Sequence, residues 1–179
     1  YNYKQRIRAY NKILSAPDYQ TILKSTLVWG TWDDHDYGYN NVGAKFSGKD
    51  DSKKAFAHFF QLEPEDPIFK RHGIYHERIL QKENLRVRFL FLDLRYFQKK
   101  NSLLGEKQWE WLEKKMADRS FDVTFIASSL NVLGRKSIFT YFLEGWHRFS
   151  SEQERLFELV KGSRQHVVFL SGDRHHSDR

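Results

Sequence analysis

Short apolar runs alternate with amphipathic helical segments through the second half of the chain, and this alternation is what most constrains the fold. Strands are predicted at residues 85–92, 123–127 and 166–170, with helices between them at about 105–117 and 151–160. Strands separated by helices of these lengths are typical of crossover units, in which helices pack against a sheet. The sequence therefore predicts an α/β domain.

The first half adds two helices, two strands and a third helix. Apolar residues at helical spacing predict a helix over residues 3–14, and a second helix is predicted after Pro17. The β-branched and aromatic run at 26–32 predicts a buried strand, and a strand at 73–80 is predicted to pair with 85–92. Between them, Asp51 or Ser52 is expected to cap a helix that buries Ala55, Phe56, Phe59 and Phe60.

Length and composition exclude several classes of protein. The chain has 179 residues, which predicts a single domain over 1–179, and no run is long and apolar enough for a membrane span. The absence of cysteine excludes disulfide frameworks, cysteine-ligated zinc, iron–sulfur clusters and cysteine nucleophiles. The net charge of +7 suits an anionic partner, although most of the basic residues, Arg6 among them, are expected on solvated helix faces.

Residues that carry chemistry follow the predicted strands. In open α/β sheets, ligands bind beyond the carboxyl ends of the strands, so these residues are expected at one edge of the sheet. They are Asp33, Asp34, His35 and Asp36 after the first strand, Asp93 and Arg95 after the third, Ser128 to Asn131 after the fourth, and Asp173, His175 and His176 after the last.

Carboxylates and imidazoles without thiolates suit Ca²⁺, Mn²⁺, Fe or Zn²⁺, and paired ions of this kind hydrolyse phosphate esters. Asp34, Asp173 and His175 are the strongest candidate ligands, whereas Asp33 and Asp36 are equally well explained as turn or cap residues. His176 would point away from its neighbour His175.

Two further features have both a functional and a structural explanation. Asp93 either contributes to the site or only forms a salt bridge with Arg95. The loop with Glu144, Trp146 and His147 is a candidate wall for a substrate pocket.

These motifs resemble the PhoD-like (alkaline phosphatase D) branch of the calcineurin-like metallophosphatases. The resemblance covers nearly the whole chain, and its two specific elements are Asp-Asp-His-Asp near the start and Ser-Gly-Asp-x-His near the end. The matching residues are Trp32 to Gly38 with Asn40, Leu92 to Phe97, Leu104-Gly105 with Gln108-Trp109 and Trp111-Leu112, Glu144 with Trp146, Glu154-Arg155, and Val167 to Asp173 with His175.

The resemblance implies part of a four-layer α-β-β-α sandwich with mixed sheets and a site for two or more metal ions, which in this branch are iron and calcium. It implies that Asp34, Asn40, Asp173 and His175 are metal ligands and that His35 is the catalytic acid. The family's earlier Gly-Asp-x-x-Tyr element does not occur in this sequence. We therefore expect 1–179 to be the later part of the catalytic domain and to show little activity in isolation.

The leading hypothesis is a phosphate mono- or diesterase in which a metal-activated hydroxide attacks in line and His35 protonates the leaving group. Manganese or zinc remain alternatives for the metal, Arg95, Asn131 and Trp146 are candidate substrate contacts, and nucleic acid enters only as a possible substrate. The resemblance also suggests a secreted or periplasmic protein. The alternative is a noncatalytic basic module that binds nucleic acid or another polyanion.

Overall fold

A computed structural model describes residues 2–134 and 144–173. In chain order the elements are α1 (Tyr3–Leu14), α2 (Pro17–Ser25), α3 (Asp34–Tyr37), α4 (Lys49–Phe59), β1 (His76–Lys82), β2 (Leu85–Phe91), α5 (Glu106–Ala117), β3 (Val123–Ser128), α6 (Ser150–Ser163) and β4 (Val167–Ser171). Two short 3₁₀ turns cover Pro67–Lys70 and Trp146–Phe149.

The four strands form one mixed sheet in the order β1-β2-β3-β4. The hairpin of β1 and β2 is antiparallel, with His76 opposite Phe91. Both later pairs are parallel, because α5 and α6 each carry the chain back before the next strand begins. The prediction of an α/β fold with a mixed sheet is confirmed, and so are the predicted hairpin and crossover helices.

One face of the sheet packs against the two crossover helices. Side chains alternate between the two faces along each strand, and Leu90 of β2 and Ile126 of β3 are fully buried on this one. The apolar face of α5 meets them, as its three-and-four spacing predicts, and α6 adds Leu156. This cluster fixes the helices behind the sheet and leaves the carboxyl ends of β2, β3 and β4 at a common edge.

A second apolar cluster, mainly aromatic, is formed by residues between Trp32 and Tyr96. It consists of Trp32, Tyr37, Phe46, Phe56, Ala57, Ile68, Ile74 and Tyr96. Helix α4 supplies Phe56 from its buried face and also packs against α1. This cluster supports the segment around α3.

The predicted strand at 26–32 is wrong: these residues join no strand pair in the described parts of the chain. The segment lies against the sheet without pairing, and the Trp29 ring packs 5.6 Å from that of Phe89 on β2. A composition that favours β-structure predicts an extended, half-buried segment, but it does not determine whether that segment forms backbone hydrogen bonds with a strand of the sheet.

One further prediction of local structure needs correction. The N-cap of α4 is Gly48, three or four residues before the predicted cap at Asp51 or Ser52. Within the described residues, no helix is long and apolar enough to cross a bilayer.

Candidate active site at the carboxyl edge of the sheet

Helix α3 carries the Asp-Asp-His-Asp motif and is held at both ends. Asp33 is its N-cap, and the backbone N–H of Asp33 donates to the Asp36 carboxylate at 3.2 Å. At the other end, the buried guanidinium of Arg6 donates to the carbonyls of Asp36 and Tyr37 at 3.1 and 3.0 Å. The expectation of a solvated face is therefore wrong for Arg6, which satisfies helix-end carbonyls that lack partners inside the helix.

Asp34 is buried, and its carboxylate organises the turn that follows. One oxygen accepts the backbone N–H of His35 and the other accepts that of Asn41, both at 2.7 Å. Asn41 has a φ of 57°, a left-handed conformation that asparagine tolerates better than most residues. The predicted ligand Asn40 is exposed, and the contact with Asp34 comes from its neighbour through the backbone.

The side chain of His35 is exposed, although its neighbours in α3, Asp34 and Asp36, are held by hydrogen bonds. The anchoring fixes the backbone of α3, while the imidazole remains accessible to a molecule that approaches from solvent. This is the arrangement that a proton donor to an incoming substrate requires.

Arg95 joins three distant segments of the chain. Its side chain is fully buried, and Nη2 lies 2.6 Å from Asp33 and 2.8 Å from Glu144. Burial raises the pKa of Asp33 to about 6 against the opposing charge of Arg95, and the nearby Asp34 charge also raises it. The guanidinium therefore fixes the Asp33 side of the α3 motif against the loop at Glu144.

The predicted salt bridge between Asp93 and Arg95 is wrong. Asp93 is fully buried, and its carboxylate accepts four N–H groups instead: the Trp32 indole at 2.7 Å and the backbones of Ile74, Arg95 and Tyr96 at 2.9, 3.0 and 2.9 Å. Burial raises the pKa of Asp93, and these donors oppose that effect. The arrangement makes Asp93 a structural junction rather than a ligand.

The motif near the start and the motif near the end meet at the end of β3. The Ser129 hydroxyl lies close enough to the Asp33 carboxyl to lower its pKa. The N–H of Gly172 donates to the Ser128 carbonyl at 3.2 Å, which places Asp173 one residue beyond the same point. Asp33 and Gly172 thus both lie beside the residues at the end of β3.

Among the described residues, agreement with the expected metal site is limited to the kind of ligand atom, the carboxylate oxygens of Asp34 and Asp173. Asp34 keeps unused lone pairs after accepting one N–H on each oxygen, and Asp173 is exposed. In 2–134 and 144–173, no three histidine or acidic side chains are grouped to hold an ion. The predicted candidates His175 and His176 lie outside the described residues.

The candidate substrate contacts occupy different environments. Asn131 is half-buried and accepts the N–H of Gly134 at 2.5 Å. Trp146 is fully buried in the core, where its indole donates to the Ser128 hydroxyl at 3.0 Å. A side chain so enclosed cannot form part of a pocket wall, so the proposed role of Trp146 needs correction to packing behind β3.

A cavity of about 840 Å³ opens beside these residues. Asn41 and Glu144 line it, and they are the residues that contact Asp34 and Arg95. Four cationic side chains surround the same space, namely Lys45, Lys99, Lys100 and Arg148. The cavity therefore adjoins the α3 motif and is suited to an anionic molecule.

Sequence reasoning missed Arg6 and Asn41 as supports of the site. A signal for Arg6 was present, because it lies three residues after Tyr3 and four before Tyr10, on the predicted apolar face of α1. No comparable signal marks Asn41, because its contact uses the backbone.

Comparison with known proteins supports the fold and identifies the family. A solved structure of PhoD superimposes with a TM-score of 0.61 and 21% identity, covering 81% of this chain. The chain spans only 34% of that protein, about one third of its length. No curated protein matches. The profile of the PhoD-like phosphatase family matches residues 81–178, which is 98 of the 179 residues. This chain belongs to the PhoD-like phosphatase family.

Proposed function

We propose that the full-length protein hydrolyses phosphate mono- or diesters and that His35 is its general acid. The observation that carries the proposal is the position of the α3 motif. Asp33 lies 2.6 Å from Arg95, which follows β2, and it adjoins Ser129, which follows β3. The motif therefore lies where ligands bind in α/β folds, in a chain of a phosphatase family.

The chain's own residues divide the work between positioning and proton transfer. Asp34 fixes the turn through two backbone N–H groups, and Arg95 fixes Asp33. The exposed imidazole of His35 then donates its proton to the leaving alkoxide oxygen. Asp33 and Asp36 act around this core rather than on the substrate, because their carboxylates are committed to Arg95 and to the α3 backbone.

We assign the metal ligands to Asp34, Asp173 and His175, with Asn40 as a further contributor and His176 near them. Metal ions in such a site lower the pKa of bound water and so supply the nucleophile at neutral pH. Iron and calcium are expected, and manganese or zinc are the alternatives. Elemental analysis of the purified full-length protein distinguishes these cases, since iron together with calcium supports this family's expected metals.

The cavity beside the motif receives the rest of the substrate. Its cations Lys45, Lys99, Lys100 and Arg148 favour phosphate esters over neutral ones by raising the local concentration of anions. Asn131 remains a candidate substrate contact, whereas Arg95 acts by positioning Asp33. We also expect the protein to be secreted or periplasmic, which fractionation of producing cells tests.

The decisive experiment replaces His35 in the full-length protein. His35→Ala is expected to reduce turnover of an alkyl phosphate ester by about 10²–10⁴-fold, with unchanged metal content. The loss should be much smaller with a nitrophenyl ester, whose leaving group departs without a proton.

The matched control is His166→Ala, because His166 is equally exposed but precedes β4, at the opposite edge of the sheet. Turnover of the control should equal that of the wild type. Wild-type turnover of the alkyl ester by His35→Ala would show that the general acid is another group.

The same preparation tests the noncatalytic alternative. Binding to nucleic acid that weakens steeply with salt, without turnover of any phosphate ester, would favour a polyanion-binding module. Residues 1–179 expressed alone should show little activity beside the full-length protein. Robust turnover by this segment would show that no further part of the protein is required.

A further inference from the structure

A second basic cavity lies apart from the α3 motif. It has a volume of about 610 Å³ and is formed by α4, the 3₁₀ turn at Pro67–Lys70 with the residues after it, and the start of α5. Its lining residues are Lys53, Phe69, Lys70, Arg71, His72, Tyr75, Phe97 and Lys107. It is thus lined by four basic side chains, one histidine and three aromatic rings, without a carboxylate.

None of the four cations forms a salt bridge with a carboxylate in 2–134 or 144–173. Asp50 and Asp93 are near enough to act on the Lys53 charge, but neither pairs with it. Elsewhere in the molecule, partly buried cations such as Arg78 and Lys115 are paired with acids. Grouping unpaired like charges around a cavity is unfavourable, and a bound anion would remove that cost.

The fold brings two of these cations together at the cavity wall. The Lys53 ammonium donates to the backbone carbonyl of Arg71, and both side chains are half-buried. Burial lowers the pKa of Lys53 and the Arg71 charge lowers it further, whereas Asp50 and Asp93, which do not line the cavity, oppose this. The cavity wall therefore presents positive charge that water screens only in part.

The aromatic side chains give the cavity a second kind of surface. Tyr75 is only 5% exposed and supports the wall from below, with its ring centre 4.9 Å from the Arg71 guanidinium and 6.2 Å from the ring centre of the half-buried Phe97. The Phe69 side chain is 43% exposed at the rim. Flat apolar surfaces beside unpaired cations suit a molecule with a planar ring and a phosphate group.

We propose that this cavity binds a phosphorylated small molecule with a planar ring, of the nucleoside phosphate class. Its volume lies within the range of about 300–1,000 Å³ that is typical of small-molecule sites. None of its lining residues contacts Asp33, Asp34 or His35 in the described structure, so the site is separate from the proposed catalytic residues.

The test is calorimetric titration of the full-length protein with ADP, with EDTA present so that metal-dependent turnover cannot consume the probe. ADP should bind with higher affinity than inorganic pyrophosphate, because only ADP can use the aromatic wall. The variant Lys70→Met/Lys107→Met removes two exposed cations without disturbing a buried contact, and it should weaken ADP binding about five- to tenfold.

Lys114→Met is the matched control, because Lys114 is an exposed lysine on the same helix as Lys107 but lies outside the cavity. His35→Ala separates this site from the catalytic one, and its affinity for ADP should equal that of the wild type. Equal affinity of the double variant and the wild type, equal affinity for ADP and pyrophosphate, or binding only to nucleic acid polymers would each overturn the proposal.

Discussion

Two acidic regions lie near the same edge of the sheet, and they are built in opposite ways. The Asp93 junction, formed by Asp93 with Trp32, Ile74, Arg95 and Tyr96, is sealed from solvent, and four N–H groups satisfy its carboxylate. Helix α3 holds a buried carboxylate, Asp34, next to an exposed imidazole, His35.

Solvent access separates structural from functional acids at this strand edge. The Asp93 carboxylate accepts four N–H groups, three on Oδ1 and one on Oδ2, and it is sealed from solvent, so a ligand cannot reach it. Asp34 accepts only two donors and lies beside the exposed His35, and Asp173 is itself exposed, so both can still bind a ligand. The comparison predicts that the Asp93 junction governs stability and that α3 governs reaction rate.

The largest expected effect is that of Asp93→Ala, which leaves four buried donors without an acceptor. We expect a loss of about 3–5 kcal/mol in the free energy of unfolding, measured by chemical denaturation. Asp51→Ala is the control, because Asp51 is an exposed acid whose ion pair with Lys54 is 3.5 Å long, and it should change stability by less than about 0.5 kcal/mol. Similar losses in the two variants would contradict the junction's structural role.

The next largest effect is expected at His76, which is hydrogen-bonded to Ile74, a residue of the Asp93 junction. Its Nδ1–H donates to the Ile74 carbonyl at 2.8 Å, its ring stacks on Phe91, and burial lowers its pKa from 6.5 to about 4. His76 takes up a proton near pH 6.5 in the unfolded chain but only near pH 4 in the folded protein. Its contribution to the free energy of unfolding is therefore complete above pH 6.5 and is lost as the pH falls. It should decline by roughly 3 kcal/mol as the pH falls from 6.5 to 4.

Denaturation curves at several pH values for wild type and His76→Phe measure this difference. The variant keeps an aromatic ring beside Phe91 and should lack this part of the pH dependence. His166→Phe, altered at an exposed histidine, should retain it. Parallel pH profiles for wild type and His76→Phe would show that His76 is not held neutral.

A smaller effect is expected at the base of α3. Arg6→Met keeps most of the side-chain volume but removes the donors to the carbonyls of Asp36 and Tyr37, which should cost about 2 kcal/mol. Arg8→Met, on the exposed side of the same helix, should be nearly neutral. If Arg6→Met were also neutral in thermal unfolding, the helix would not depend on α1 for support.

The smallest effect on stability should come from His35→Ala. The imidazole is exposed, and the Asp34 contact uses the backbone of His35, so the free energy of unfolding should change by less than about 0.5 kcal/mol. Denaturation of the same preparation used for kinetics checks this. A large loss of stability would remove the contrast between the two regions.

Much of the fold could be predicted because it depends on periodic patterns. The face of α5 and the ends of the parallel strands follow from residue spacing, and the acid-rich edge follows from the strand ends. The segment at 26–32 could not be assigned, because its composition does not reveal that it lies against the sheet without pairing. The roles of Asp93 and Arg95 also required the structure, since sequence adjacency suggested a mutual salt bridge whereas Arg95 pairs with residues 62 and 49 positions away.

The order of strands in the sheet is the same as their order in the chain. Each of the described strands β1 to β4 therefore adds to the edge formed by the one before it, and none of these four has to insert between two strands already paired. During synthesis, the β1–β2 hairpin can form first, and each crossover helix then brings the next strand to a waiting edge. Asp173 follows the last strand to join, so the carboxyl-terminal motif reaches its position only after the rest of this sheet has assembled.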